Sequence, residues 1–83
     1  MIFLNKRKVV FGIADSIYIC ERNILYAKNI YEINSEDYDK YVSRNRAIKN
    51  EMLNLAFNLD ISDDVIKKKD KLIQEWKIRN KEK

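Results

Sequence analysis

The chain contains no histidine and no proline, and only one glycine and one cysteine. Each shortage excludes something. Without histidine, the commonest general base near neutral pH and the commonest metal ligand are both missing. With Gly12 as the lone glycine, no P-loop, Gly-x-Gly-x-x-Gly or Gly-x-Ser-x-Gly pattern can be written. With Cys20 as the lone cysteine, a disulfide within the chain is excluded and a thiolate zinc site would need a second chain. Cys20 lies in an apolar run and reads as a small buried hydrophobe rather than a reactive thiol. The lack of proline and glycine points to long regular elements with few tight loops.

Carboxylates are the remaining catalytic currency. Glu36, Asp37 and Asp39 form one group and Asp63 with Asp64 another. Both fall where a helix would begin, so capping and complementing the helix dipole explain them better than acid–base or metal chemistry. The expectation is a protein that is not an enzyme, with no cofactor and no metal. Lys6, Arg7 and Lys8 break up the apolar residues near the start, and nowhere do ~20 apolar residues follow one another as a membrane span requires. A lone thiol without a recognisable secretory segment suggests a reducing compartment, so the expected location is cytoplasmic, with no membrane partner.

What is present fits one small domain over residues 1–83. Hydrophobic residues make up 46% and charged residues 36%, a globular rather than a disordered balance. A chain this short buries only about 60% of its unfolded surface, so its stability is thin. The net charge of +4 is mild, and the basic excess sits at the two ends around a near-neutral middle.

Up to Ile33 the apolar residues are mostly β-branched or aromatic and come in short runs: Ile2 to Leu4, Val9 to Phe11, Ile17 to Cys20, Ile24 to Tyr26 and Ile30 to Ile33. Polar breaks at Asn5, Asp15, Asn23 and Asn29 separate them. This spacing predicts a small antiparallel β-meander over about residues 2–33, with Gly12 at a bulge or a close backbone approach. Ile13, Ile17, Cys20, Ile24, Ala27 and Tyr31 also fit one face of a helix, which makes an all-α chain the alternative. Composition favours strands.

The second half reads as an αα-hairpin. Ser35 can cap a helix over about residues 35–59, in which Tyr38, Tyr41, Asn45, Ile48, Met52, Leu55 and Leu59 recur every three or four residues. Val42, Leu53 and Ala56 widen that stripe. Ser62 is the expected N-cap of a second helix over about residues 62–80, whose apolar face is Val65, Ile66, Leu72, Ile73 and Trp76. The predicted fold class is therefore α+β, a sheet packed by a helical hairpin.

Two kinds of binding feature stand out. Asn45 falls on the apolar stripe of the long helix, where a buried amide can fix the register of a helix pair, including a homodimer. The alternative places it at an exposed rim, with Val42 carrying the packing. Tyr38 and Tyr41, with Arg44, Ile48 and Met52 on the following turns and Trp76 on the last helix, have the residue types of protein interfaces; core-edge aromatics are the plainer explanation. Lys67, Lys68, Lys69 and Lys71, continued by Lys77, Arg79, Lys81 and Lys83, could follow a phosphate backbone. Interspersed acids and the want of an aromatic platform favour a solvated lysine face instead.

The abundance of Lys, Asn, Ile and Tyr, without proline or histidine, resembles that of short accessory proteins of AT-rich bacteria and their phages. That resemblance implies a phage- or mobile-element-type inhibitor that occludes a host or defence protein. The leading expectation is a protein-binding module whose partner is another protein or a second copy of itself. The alternative is a small basic nucleic-acid-binding regulator using Lys67, Lys68, Lys71, Lys77 and Arg79.

Overall fold

The computed structural model describes residues 5–81. They form three helices, α1 (Lys6–Tyr26), α2 (Glu36–Asn58) and α3 (Ser62–Lys81), with a turn of 3-10 helix at Ala27–Asn29. No strand occurs among the described residues, so the expected β-meander is replaced by α1 and the all-α alternative holds. The first expected strand, Ile2 to Leu4, lies outside the described residues.

The reason is visible in how α1 packs. α2 and α3 both lie along α1 but approach each other only beside the turn that joins them. A helix flanked on two sides must bury a wide arc, and a wide arc is written in sequence as consecutive apolar residues. Thus Ile17, Tyr18 and Cys20 are all buried while Ile19 is exposed. The β-branched runs mimic strands for that reason, and packing overrides their strand propensity. Asn5 starts the helix: its Oδ1 accepts from the backbone N–H of Arg7 at 2.9 Å and of Lys8 at 3.4 Å.

Gly12 marks neither a bulge nor a close approach. It lies inside α1 on the solvent side, nothing stands within 4 Å of a Cβ built there, and its carbonyl accepts from Ser16 Oγ.

α2 runs antiparallel to α1, pairing Asn23 with Asn45 and Glu21 with Lys49. α3 runs parallel to α1: Lys6 meets Asp64 near their starts, and Arg22 and Tyr26 share a cleft with Trp76 and Asn80 near their ends. The expected hairpin of α2 and α3 is thus present, with its arms spread by α1. Ile13, Ala14 and Ile17 of α1, Ala56 of α2, and Ile61 and Val65 at the α2–α3 joint form the core. Ala14 and Ala56 are fully buried and carry little bulk, which lets the helices close on each other there.

Ser35 caps α2 as expected, its Oγ accepting from the Tyr38 N–H at 3.1 Å. α2 ends in a Schellman turn. The Ile61 N–H donates to the Ala56 carbonyl and the Asp60 N–H to the Phe57 carbonyl, each at 3.0 Å, with Asp60 in the left-handed region at φ 58°. Ile61 closes that motif and opens the next helix, because its carbonyl accepts from the Val65 N–H. The cap of α3 is therefore Ile61 rather than Ser62, which is the first helical residue.

Two backbone substitutions follow. Gly12→Ala should stabilise the protein by about 0.5–1 kcal/mol, since it lowers the helix's entropic cost and meets no neighbour. Asp60→Gly should gain about 1 kcal/mol by relieving a left-handed non-glycine residue. Urea midpoints at constant m-value check both, and an unchanged or lower midpoint contradicts the assignment of that position.

Candidate protein-interaction surface

Asn45 is 7% exposed, and its amide is satisfied within the chain. Its Nδ2 donates to the Tyr41 carbonyl at 2.9 Å, and its Oδ1 accepts from Asn23 Nδ2 at 3.1 Å. The register that this asparagine fixes is that of α1 against α2. It occupies the place expected for a helix-pair device, but the partner helix is its own, and the exposed-rim alternative does not hold.

A second polar contact ties all three helices. Glu21 Oε1 lies 3.4 Å from Lys49 Nζ of α2 and 3.2 Å from Lys69 Nζ of α3. Lys69 also pairs with Asp70 at 2.6 Å. Lys69 is mostly buried, so it is unavailable to a phosphate backbone. Sequence reasoning passed over Glu21 and Asn23. The signal for Glu21 was its position four residues after Ile17, on the packed side of α1.

The tyrosines divide between core and rim. Tyr31 and Tyr41 are tilted against each other with ring centroids 5.4 Å apart, closing the α1–α2 connection over α2's second turn. Tyr38 is half-buried, and Tyr18 is buried beneath the Arg22 guanidinium at 5.5 Å. Met52 packs on the edge of the core. Trp76 is half-buried and shares a cleft with Arg22, Asn23 and Tyr26 near the end of α1. Of the residues proposed for one interface, only Arg44 and Ile48 are exposed.

What remains on the surface is narrower. Arg44 is exposed, and along the same side of α2 lie Ile48 at 41%, Leu55 at 40% and Leu59 at 45% exposure. Their spacing of four, seven and four residues keeps them in one line. The apolar stripe of α2 is wider than α1 can cover, and this strip is the uncovered flank.

The basic candidates do not share a face. Lys67 and Lys71 point outward; Lys68 lies over the Phe11 ring at 5.4 Å; Lys77 turns toward Arg46 and Lys49 of α2. Arg79 is exposed near the end of α3, Lys81 is also exposed, and Lys83 lies outside the described residues. The carboxylates serve helix starts, Asp64 holding Lys6 at 3.2 Å and Glu36 holding Lys40 at 3.0 Å. No helix among the described residues is long and apolar enough to cross a membrane.

Cys20 is buried, and its thiol pKa is pushed up, first by desolvation and then by Glu21, against an opposing pull from Lys49. Burial pulls Lys69 down, but its hydrogen bonds to Asp70 and Glu21 outweigh this and hold its pKa above the usual lysine value. In both cases the folded state keeps a proton that the unfolded chain gives up earlier. Stability is therefore full below the ordinary thiol pKa of about 8.5 and declines as pH rises through the thiol and lysine ranges.

Melting temperature should accordingly fall between about pH 8.5 and 11. Cys20→Ala should remove the part of that fall that begins first, and an identical profile in the variant would refute the burial account. A double-mutant cycle on Asn23→Ala and Asn45→Ala should give a coupling of about 1 kcal/mol. A coupling near zero would mean that the amide pair does not set the α1–α2 register.

Compared with protein-family models, with curated proteins and with solved structures, the chain matches none.

Proposed function

We propose that this chain is a small protein-binding module that acts without catalysis, docking through the outer flank of α2. One observation carries the reading. Ile48 and Leu55 on the longest helix and Leu59 at its C-cap, three large aliphatic side chains, stand exposed in a single line, with Arg44 at one end. Scattered apolar residues on a surface need no explanation, but an aligned strip on a rigid helix has the geometry that helix-in-groove recognition uses. Arginine is also among the residues enriched at interface hot spots.

The compositional likeness to short phage accessory proteins supports occlusion of a host or defence protein as the form of this activity. A second copy of the chain is the other protein that the strip fits. The nucleic-acid reading has weaker support, because its lysines and arginine are spread over different sides of α3.

The test uses Ile48→Asp with Leu55→Asp, both at exposed positions, so that thermal melting stays near the parent value. Capture from host lysate is run with the parent and the double variant. A protein retained by the parent and lost from the variant, with affinity falling by ~2 kcal/mol or more, supports the reading. Light scattering of the same pair identifies self-association if the parent is a dimer and the variant a monomer. Equal capture and equal mass for both proteins would overturn the strip as the docking surface.

A further inference from the structure

The side of α2 opposite that strip faces a different feature. Because α2 and α3 diverge from their turn, a groove opens between them, floored by α1. Arg46, Lys49, Leu53 and Phe57 recur every three or four residues, so they share the flank of α2 that borders the groove. Ile66, Lys69, Ile73 and Lys77 do the same along α3. On α2 the apolar Phe57 and Leu53 stand near the turn and the basic Lys49 and Arg46 toward the open end; on α3 apolar and basic residues alternate, ending with Lys77 at the open end. There Arg46, Lys49, Ile73 and Lys77 line a hollow of about 330 Å³ over Ile24 and Leu25 of α1.

We propose that this groove receives an acidic amphipathic helix from a partner protein, which packs as a fourth helix. Three observations favour that occupant. The walls are helices of 23 and 20 residues that do not pack on each other over most of their length, so each leaves a long flank for a further helix to lie against. Apolar side chains are left uncovered along it, with Phe57 75%, Leu25 47% and Ile66 41% exposed. Among the described residues, neither Arg46 nor Lys77 has a carboxylate within 4 Å, and Lys49 shares its only one with Lys69.

Charge separates this occupant from the others. A second copy meeting this one groove to groove would set Arg46, Lys49 and Lys77 against their own counterparts. A nucleic acid would lay a charged, hydrated backbone over the apolar floor of Ile24 and Leu25 and leave it unsatisfied. A helix with leucine-like residues on one face and glutamates beside it satisfies both the floor and the rim. This inference is independent of the outer strip, since Ile48 and Leu55 lie on the other flank of α2.

The test measures anisotropy of two labelled amphipathic peptides of about 20 residues against the full chain, one with leucines flanked by glutamates and the other with leucines flanked by lysines. The glutamate peptide should bind at least about tenfold tighter and weaken as salt rises. Arg46→Glu with Lys77→Glu should reverse the preference, and Leu25→Asp should abolish binding. Ile48→Asp with Leu55→Asp should change nothing, which separates failure here from failure of the strip. If Leu25→Asp lowers the melting temperature, Arg46→Ala with Lys77→Ala takes its place and should erase the preference. Equal binding of both peptides, no binding of either, or an unchanged preference in the charge-reversed variant overturns the proposal. So does displacement of the glutamate peptide by equimolar duplex DNA, which assigns the groove to nucleic acid. A dimer broken by Arg46→Glu with Lys77→Glu overturns it in favour of a second copy.

Discussion

α1 supplies packing surface to both other helices, and they supply almost none to each other. With both partners on one helix, its sequence must satisfy two interfaces within 21 residues. The core at its N-terminal half does this with Ile13, Ala14 and Ile17, around which all three helices converge. Further along, apolar contact thins and polar contacts hold the register. Asn23 meets Asn45 on one side, while Glu21 reaches Lys49 and Lys69 across the widening gap. A carboxylate between two ammonium groups is worth more here than at an open surface, because Lys69 is largely withdrawn from water. It also discriminates: a slipped helix would leave two cations facing each other.

The helices of the second half were legible because each is packed on one side. A single packed flank gives the three-or-four spacing seen from Tyr38 to Leu59, and the Ser35 cap gives a start within a residue of the real one. α1 was not legible for the converse reason. Its apolar residues nearly surround it, so periodicity is diluted and local composition, rich in Ile and Tyr, speaks for strands. The same limit explains Asn45. Its burial could be read from the stripe, but its partner, Asn23, is fixed by how α1 docks. Ser62 looked like a cap because it precedes two aspartates, but the turn had already assigned that work to Ile61.

The surface candidates were only partly legible. The stripe of α2 named Ile48 and Met52 alike, yet α1 covers the edge on which Met52 sits and leaves Ile48 out. Tyr41 and Trp76 have interface chemistry, but Tyr41 packs against Tyr31 and Trp76 is half-buried beside Arg22 and Tyr26 of α1. Phe57, the most exposed large hydrophobic side chain among the described residues, attracted no notice because nothing local distinguishes it from a core phenylalanine. Its significance depends on the groove, and the groove depends on the angle at which two helices leave a turn.

The parallel course of α1 and α3 has a kinetic side. Contacts between α1 and α2 join neighbours along an antiparallel pair, and short loops can close them early. Contacts such as Lys6 with Asp64 or Phe11 with Lys68 span most of the chain, so their loop entropy is met only after the first pair has formed. Topology therefore predicts that α3 docks last and opens first, with its amide protons exchanging through fluctuations that leave α1 and α2 paired. A helix bound in the groove would touch both walls at once, and would slow that exchange by fastening the loosest unit to the most persistent one.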